Sequence, residues 1–255
     1  MKSTEHRLWC VVAAAGRGAR FGGDTPKQYV ALAGKPLLAW TLERLVAHPQ
    51  VAGVMVAVAA NDRHWPRVAA MAGDAVRSTT GGASRADSVL AGLRALQAFV
   101  SGDEFVLVHD AARPCVRASD ISRLIERGIP AGGALLAAPL RDTLKHADDG
   151  QRVAATEPRE TRWRAFTPQL FRLGELVAAL ESARAAGTSI TDEAMAMERV
   201  GHHPLLVEGS ESNIKVTTPE DLALAEFLLH RERGEGRGQR GEIARFTPFE
   251  EDAAQ

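Results

Sequence analysis

A glycine-rich segment with closely spaced basic residues follows the first apolar run of the chain. Residues 16–27 contain four glycines together with Arg17, Arg20 and Lys27, and Asp24 is their one acid. Glycine accepts the backbone angles of a tight loop and lets N–H groups approach a ligand closely. Because the cations concentrate positive charge at the same place, the segment predicts a polyphosphate-binding loop at the end of a β-strand.

This loop differs from two well-known phosphate loops. A P-loop closes with Gly-Lys-Ser/Thr at the start of a helix, and that tripeptide does not occur in the chain. The dinucleotide fingerprint would place a glycine at the position of Phe21, and it would place an acid roughly 20 residues further on. The first carboxylate after the second predicted strand is Asp62, which is too late. Both loops are disfavoured, and on this segment alone an ordinary strand-to-helix turn remains an alternative.

Five further clusters of polar residues could take part in chemistry. They are Gly81-Gly82 with Arg85, Asp87 and Ser88; His109-Asp110 with Arg113-Pro114; Arg159 with Trp163 and Thr167-Pro168-Gln169; Thr191-Asp192-Glu193; and Lys215. Asp110 could bind a metal or a sugar hydroxyl, or it could pair with Arg113 to hold a loop. Thr191 could serve only as a helix N-cap, and Lys215 could simply face solvent. The histidines are scattered and no His or Cys spacing suits a metal, so metal ligands remain unassigned.

Composition narrows the class of protein. The chain has 255 residues and a formal net charge of −1, which argues against a nucleic-acid-binding protein. It has no apolar run long enough to span a membrane and no signal peptide at the N-terminus, so we expect no membrane partner. Two cysteines, Cys10 and Cys115, do not make a disulfide framework, and a reduced cytoplasm is expected.

Apolar runs that alternate with amphipathic ones predict the elements that position these residues. The runs that read as buried strands are Leu8–Ala14, Val51–Ala59, Phe105–Val108 and Ala134–Ala138. Between them, Leu38, Leu42 and Leu45, and later Val89, Leu93, Leu96 and Val100, have helical spacing. This alternation predicts an α/β fold, with a mostly parallel sheet flanked by helices and its ligand at the carboxyl ends of the strands.

The second half of the chain departs from that alternation. Residues from about 140 to 162 predict a polar β-hairpin that turns at Asp149-Gly150 and projects as an arm. Regular structure is expected over Leu170–Ala186 and Ile190–Val200, strands near 205–207 and 214–216, and a helix from Thr218 to about Arg231. We expect a single domain over residues 1–233 and a disordered tail over 234–255.

Taken together, the clusters closely resemble one family, 2-C-methyl-D-erythritol 4-phosphate cytidylyltransferase, over roughly residues 8–230. The matching elements are Ala14-Ala15-Gly16-Arg-Gly18-Ala-Arg20, Pro26-Lys27-Gln28-Tyr29, Gly81-Gly82 with Arg85 and Ser88-Val89, Val108-His109-Asp110-Ala-Ala-Arg113-Pro114, Asp142-Thr143, Thr167-Pro168-Gln169, Thr191-Asp192-Glu193, and Asn213-Ile214-Lys215-Val216-Thr217 before Pro219-Glu220-Asp221-Leu222. One local departure is Phe21, where many relatives carry methionine. Since both are apolar, the departure puts little in doubt.

The resemblance implies a Rossmann-like nucleotidyltransferase fold and a role for each matching residue. It implies that the catalytic residues are Arg20, Lys27, Arg159 and Lys215. It implies that the nucleotide is bound by Ala14, Ala15, Gly16, Gly18, Gly82 and Ser88. It implies that the alcohol phosphate is bound by Asp110, Arg113, Thr143, Thr167 and Thr191.

The resemblance also implies a reaction, a cofactor and an assembly. The substrates would be CTP and 2-C-methyl-D-erythritol 4-phosphate, with Mg²⁺ bridging phosphate oxygens, in a homodimer whose arm carries Arg159 to the partner. A cytidylyltransferase for another alcohol phosphate, such as ribitol 5-phosphate, remains an alternative. A non-catalytic nucleotide-binding regulator on the same fold is a second alternative, although the joint presence of Arg20, Lys27, Asp110 and Lys215 argues against it.

Overall fold

The computed structural model describes residues 7–16 and 25–235, which form eleven β-strands and seven α-helices. The strands are β1 (Leu8–Ala13), β2 (Ala31–Leu32), β3 (Lys35–Pro36), β4 (Val51–Val58), β5 (Val76–Thr80), β6 (Phe105–Asp110), β7 (Ala134–Pro139), β8 (Leu144–Ala147), β9 (Val153–Glu157), β10 (Trp163–Arg172) and β11 (Leu205–Glu208). The helices are α1 (Leu37–Val46), α2 (Trp65–Ala72), α3 (Arg85–Leu96), α4 (Ala118–Gly128), α5 (Leu173–Ala185), α6 (Glu193–Arg199) and α7 (Pro219–Glu235).

Seven of these strands form one sheet in the order β11-β7-β10-β6-β1-β4-β5. All of its neighbouring pairs are parallel except the two that β10 makes with β6 and β7. The four apolar runs of the sequence are the strands β1, β4, β6 and β7, so the predicted α/β fold with a mostly parallel sheet is confirmed.

The sheet is buried on both faces, which explains why its central strands are apolar without alternation. In β1, Cys10 and Val12 pack in the cluster that includes residues of α1 and α4. The side chain of Val11 points the other way, into the cluster that includes residues of α3 and α5. A third cluster joins α7 to α1 through residues that include Leu229 and Trp40.

The sequence does not predict strand β10, and three other expectations differ from the structure. The regular element predicted over 170–186 divides between two elements, because β10 continues to Arg172 and α5 begins at Leu173. The predicted strand over 214–216 is wrong: this segment pairs in no ladder, and its backbone hydrogen bond to a distant segment runs from the Val216 N–H to the oxygen of Ala112 at 2.8 Å. Helix α7 runs to Glu235, four residues beyond the predicted end at Arg231.

The predicted arm is present as a two-stranded ribbon. Strands β8 and β9 pair antiparallel with each other and form a separate sheet from the central one. Most of its residues are exposed, and Val153 retains 66% of its accessible surface. The arm therefore projects from the body of the chain.

Both cysteines are free and buried, as expected for a chain without a disulfide framework. Over the described ranges, no helix combines the length and the apolar character that crossing a membrane would require. Most of the predicted disordered tail, residues 236–255, lies outside the described residues.

Candidate functional site

The end of β1 and the end of β6 lie side by side. These strands pair in parallel register, and Ala13 is the Cα partner of Asp110. The glycine-rich segment therefore leaves the sheet beside Asp110, at the carboxyl edge where ligands of open α/β sheets bind.

A pocket opens at this edge of the sheet and collects most of the residues expected from the resemblance. Of the residues assigned to catalysis or binding, eight line it: Ala14, Ala15, Gly16, Lys27, Gly82, Ser88, Asp110 and Lys215. Gly18 and Arg20 lie outside the described residues.

The turn between β5 and α3 packs tightly against the end of β1. A Cβ added to Gly81 would lie 2.6 Å from the Cβ of Ala15, so a larger residue would push the turn away from the pocket. The Ser88 hydroxyl accepts a hydrogen bond from the Gly82 N–H at 3.2 Å and donates one to the Ser84 oxygen at 2.9 Å. These two hydrogen bonds of the Ser88 hydroxyl stabilise the turn before α3.

Gln28 anchors Lys27 at the pocket. It is buried in a short 3₁₀ helix over Lys27–Tyr29, and its side-chain amide donates to the Ala14 oxygen at 2.7 Å. The bond ties the residues after the glycine-rich segment back to the end of β1. Sequence reasoning gave Gln28 no role, although its place beside Lys27 in the motif was the available signal.

Asp110 is surrounded by three cationic side chains. Its Oδ1 accepts from Arg85 Nε at 2.8 Å, while its Oδ2 lies 2.9 Å from Lys215 Nζ and 3.4 Å from Arg113 Nε. Burial alone would raise the pKa of this carboxyl, but the charges of Arg85, Lys215 and Arg113 outweigh burial and hold the pKa well below its usual range. Asp110 is therefore an anion at neutral pH, and it orients Lys215.

Arg85 also reaches a second buried carboxylate. Its Nη1 and Nη2 donate to the two carboxylate oxygens of Glu193, at 2.7 and 3.0 Å. Burial would lower the pKa of Arg85, but the neighbouring charges of Glu193 and Asp110 raise it. The two carboxylates and the three cations sum to +1, so the cluster suits an anionic ligand.

Arg113 holds the loop that carries Lys215. It is buried, its Nη1 donates to the Asn213 oxygen at 2.6 Å, and its guanidinium lies 5.1 Å from the centre of the Phe166 ring. Asn213 in turn donates through Nδ2 to the Thr167 oxygen at 2.7 Å. The loop-holding interpretation of the Asp110–Arg113 pair therefore has direct support in the contacts.

A buried histidine connects Arg113 to Thr167. The Arg113 oxygen lies 3.1 Å from His109 Nε2, and since a carbonyl only accepts, Nε2 carries the proton. His109 Nδ1 then accepts from the Thr167 hydroxyl at 2.9 Å, while that hydroxyl oxygen accepts from the Asp110 N–H at 3.0 Å. Burial lowers the pKa of His109 to about 4, so it is neutral at pH 7.

Three residues assigned from the resemblance lie away from the pocket of this chain. Thr143 is exposed on the arm, as is Arg159, whose guanidinium donates to the Arg141 oxygen. Thr191 is also exposed, and its hydroxyl lies 3.4 Å from Met195 Sδ. The possibility that Thr191 caps the helix is wrong, because Asp192 is the N-cap of α6 and accepts from Met195 N–H at 2.9 Å.

The carboxylates near the pocket do not form a metal-binding cage. Within residues 7–16 and 25–235, no three His, Cys, Asp or Glu side chains are arranged to hold a metal ion. Asp110 is the one acid among the described lining residues, and it already accepts from cations. Such a pocket fits a magnesium ion that arrives on a triphosphate, because Mg²⁺ keeps water and phosphate oxygens as its main ligands.

Comparison with known proteins relates the whole described domain to one family. The sequence model of the family described as IspD, 2-C-methyl-D-erythritol 4-phosphate cytidylyltransferase, matches residues 8–231. A protein of that name from Xanthomonas campestris pv. campestris (strain 8004) is 58% identical over 230 residues, which are 89% of this chain and 86% of the relative.

Solved structures agree as well. The 2-C-methyl-D-erythritol 4-phosphate cytidylyltransferase of Francisella tularensis has a TM-score of 0.76 and 33% identity, covering 87% of this chain and 99% of that one. The enzyme of that name from Thermus thermophilus has a TM-score of 0.73 and 32% identity, covering 88% of this chain and 99% of that one. The chain belongs to the 2-C-methyl-D-erythritol 4-phosphate cytidylyltransferase family.

Proposed function

We propose that this protein transfers the cytidylyl group of CTP to 2-C-methyl-D-erythritol 4-phosphate. The products are 4-diphosphocytidyl-2-C-methyl-D-erythritol and pyrophosphate, in the non-mevalonate route to isoprenoids. The observation that carries the proposal is the anion-binding cluster around Asp110, placed in register with the end of β1 inside a chain of this family.

The reaction needs positioning and charge more than it needs a base. The phosphate of the acceptor is already an anion at pH 7, so one of its oxygens can attack the α-phosphorus of CTP directly. A bond forms between that oxygen and the α-phosphorus, and the bond from the α-phosphorus to the oxygen bridging the β-phosphate breaks. Pyrophosphate leaves with the electron pair, and the developing charge must be met by fixed cations.

We assign CTP binding to the end of β1 and the turn before α3. In this proposal Ala14, Ala15, Gly16 and Gly18 approach the triphosphate, and the turn held by Gly82 and Ser88 approaches the cytosine and ribose. Lys27 and Arg20 stabilise the charge on the α-phosphate and on the departing pyrophosphate. Lys27 is supported by its place in the pocket lining, where Gln28 fixes it.

We assign binding of the acceptor to the cluster at the end of β6. Asp110 accepts from hydroxyls of the alcohol, and Lys215 meets a phosphate from the position that Asp110 gives it. Arg113 and Thr167 act nearby, through the loop and the hydrogen-bond chain described above. Thr191 is assigned to the acceptor through the resemblance.

The arm completes the site from a second subunit. Thr143 and Arg159 lie on or beside a ribbon that pairs with itself and is mostly exposed. A polar ribbon of this kind gains contacts when it crosses to a twin subunit, and a two-fold dimer would supply each pocket with one arm. We therefore assign these two residues to the partner's acceptor site in a homodimer.

In this proposal magnesium would be bound together with CTP. It would neutralise phosphate charge there, and residues of the chain would hold the phosphates rather than the metal. A cytoplasmic location fits the two buried free cysteines, since a reducing compartment keeps thiols in that state.

Isotope labelling tests the proposed chemistry. Methylerythritol phosphate labelled with ¹⁸O in its three terminal phosphate oxygens is incubated with CTP, Mg²⁺ and the enzyme. We expect all three labels in the diphosphocytidyl product, one of them bridging, and unlabelled pyrophosphate. Label in pyrophosphate, or product with fewer labels, would contradict attack by the acceptor phosphate on the α-phosphorus.

A further inference from the structure

We propose that Glu193 is a positioning residue for the acceptor site, acting through Arg85 on Asp110 and Lys215. This inference deepens the proposed function and rests on it. Glu193 is fully buried and does not line the pocket described above, so any influence on the substrate passes through another side chain.

The contacts of Arg85 divide its guanidinium between two carboxylates. Both terminal nitrogens bind the two oxygens of Glu193, in a bidentate pair that fixes the plane of the guanidinium. The remaining Nε then points at Asp110 Oδ1, at 2.8 Å. Since three of the five guanidinium N–H groups are committed in this way, Arg85 cannot rotate without breaking the pair to Glu193.

Asp110, held by Arg85, in turn orients Lys215. With Oδ1 held by Arg85, Oδ2 is the oxygen left for Lys215 at 2.9 Å and for Arg113 at 3.4 Å. Rotation of Arg85 would release Oδ1, the carboxylate would turn, and the ammonium of Lys215 would move with it. Because both groups belong to the acceptor half of the proposed site, their displacement would weaken acceptor binding.

Both ends of the Glu193–Arg85 pair lie in first turns of capped helices. Arg85 is the first residue of α3, which Ser84 caps in a reciprocal pair with Asp87. Glu193 is the first residue of α6, which Asp192 caps. Gln169 fixes that cap from β10, because its amide donates to Asp192 at 2.9 Å and its oxygen accepts from Ala194 N–H at 2.7 Å.

The role of Glu193 is orientation as well as charge. Removing its charge leaves Arg85 positive with only Asp110 as an anionic partner, so Arg85 is free to move toward Asp110 and compete with Lys215. A glutamine at this position keeps the shape but offers one oxygen and an amide that itself donates, so the bidentate pair cannot form. Acceptor binding should suffer first, since Asp110 serves the acceptor half of the site.

The test is a comparison of Michaelis constants for the two substrates. In Glu193→Gln we expect the KM for methylerythritol phosphate to rise roughly tenfold, with the KM for CTP within about twofold of wild type. Arg85→Lys keeps the charge but loses the planar fork, so it should reproduce the same change. Because both act on one path, the double variant should be no worse than the more affected single variant.

Glu232→Gln is the matched control. Glu232 also pairs with an arginine, Arg44, in a contact between α7 and α1 away from the pocket. The substitution should change the melting temperature without changing either KM. If Glu193→Gln does the same, Glu193 is a structural ion-pair partner only and the inference fails.

The two variants keep the inference testable if Glu193→Gln does not fold. They also distinguish failure of this inference from failure of the proposed function. If Glu193→Gln does not fold, unchanged KM values in Arg85→Lys would still overturn the inference, and a raised acceptor KM would support it. Equal rises in both KM values would also contradict it. If the wild type releases no pyrophosphate from CTP and methylerythritol phosphate, the proposed function itself fails; if only the selective KM change is missing, this inference alone fails.

Discussion

Ala13 and Asp110 are partners at the ends of two neighbouring parallel strands, β1 and β6. The pairing places the start of the glycine-rich segment next to the carboxylate that orients Lys215. Under the proposed function, a nucleotide held by the segment and an acceptor held by the carboxylate would meet at one edge of the sheet. Under that proposal, the adjacency would bring two anions together at a site where the described residues form no metal cage.

Replacing Lys27 should reduce turnover more than substrate binding. Lys27→Ala is expected to lower kcat on the order of a hundredfold, comparable with removing one preorganised donor to a developing anion. Arg20→Ala, at a position outside the described residues, should behave alike. Steady-state kinetics with CTP varied at saturating acceptor measures the effect.

Lys35→Ala is the control for these lysine and arginine variants. Lys35 pairs with Glu43 at a site removed from the pocket, so its loss should leave kcat near wild type. A rise in KM for CTP with unchanged kcat in Lys27→Ala would show that Lys27 binds only the ground-state triphosphate.

The buried imidazole of His109 should make the fold sensitive to mild acid. Burial lowers its pKa to about 4 from the ordinary value of 6.5, so the unfolded chain binds that proton more readily than the native protein. The contribution to stability is present in full above pH 6.5 and is lost as the pH falls from about 6.5 to about 4. A shift of this size corresponds to about 3 kcal/mol of unfolding free energy.

Urea unfolding between pH 4 and 7 tests this. In His109→Gln the side-chain amide can still donate to the Arg113 oxygen but does not titrate, so the slope of stability against pH should be shallower than in wild type. His230→Gln changes a histidine that is mostly exposed and should keep the wild-type slope. Equal slopes in His109→Gln and wild type would contradict the assignment. The charges nearest to His109, on Asp110, Arg113 and Arg85, are present in all three proteins.

The central strands could be predicted from the sequence because they are buried on both faces and uniformly apolar. Strand β10 could not, since it contains Pro168, and proline in a run normally argues against an internal strand. Its apolar end also merges with α5 without a break in the pattern. Strand β5 lies at the edge of the sheet, and its residues are partly or fully exposed. Its sequence therefore has no apolar run from which a strand could be predicted.

Only those parts of the pocket that short segments of the chain form could be predicted from the sequence. The turn at Gly81-Gly82 and the motif at Lys27 are short segments, and Gly82 and Lys27 line the pocket. The contact between Arg85 and Glu193 joins residues 108 positions apart, and no spacing in the sequence reports it. Likewise, the commitment of the Thr167 hydroxyl to His109 depends on how β10 pairs with β6.

Mixing two inactive variants tests whether the arm works across subunits. Lys27→Ala and Arg159→Ala subunits are combined under conditions that allow exchange. If Arg159 serves the partner's pocket, each mixed dimer has one intact site, and an equal mixture should recover roughly a quarter of wild-type activity. If Arg159 serves its own pocket, every site keeps one defect. No recovery with exchange confirmed by mass labelling would contradict the shared site.

Removing residues 236–255 should leave the catalytic domain intact. The segment is rich in glycine and charge and poor in apolar residues, so it has little to anchor it to a core. The melting temperature and kcat should match the full chain. A drop of several degrees would show that Phe246 or Phe249 packs on the body.

Competition between two acceptors tests the central claim most directly. CTP and Mg²⁺ are supplied with equal concentrations of methylerythritol 4-phosphate and ribitol 5-phosphate, and the two cytidylyl products are separated and quantified with time. The ratio of products gives the ratio of kcat/KM values. We expect the methylerythritol product to dominate strongly and pyrophosphate to match it in amount. A higher kcat/KM for ribitol 5-phosphate, or CTP left unconsumed with both acceptors present, would contradict it.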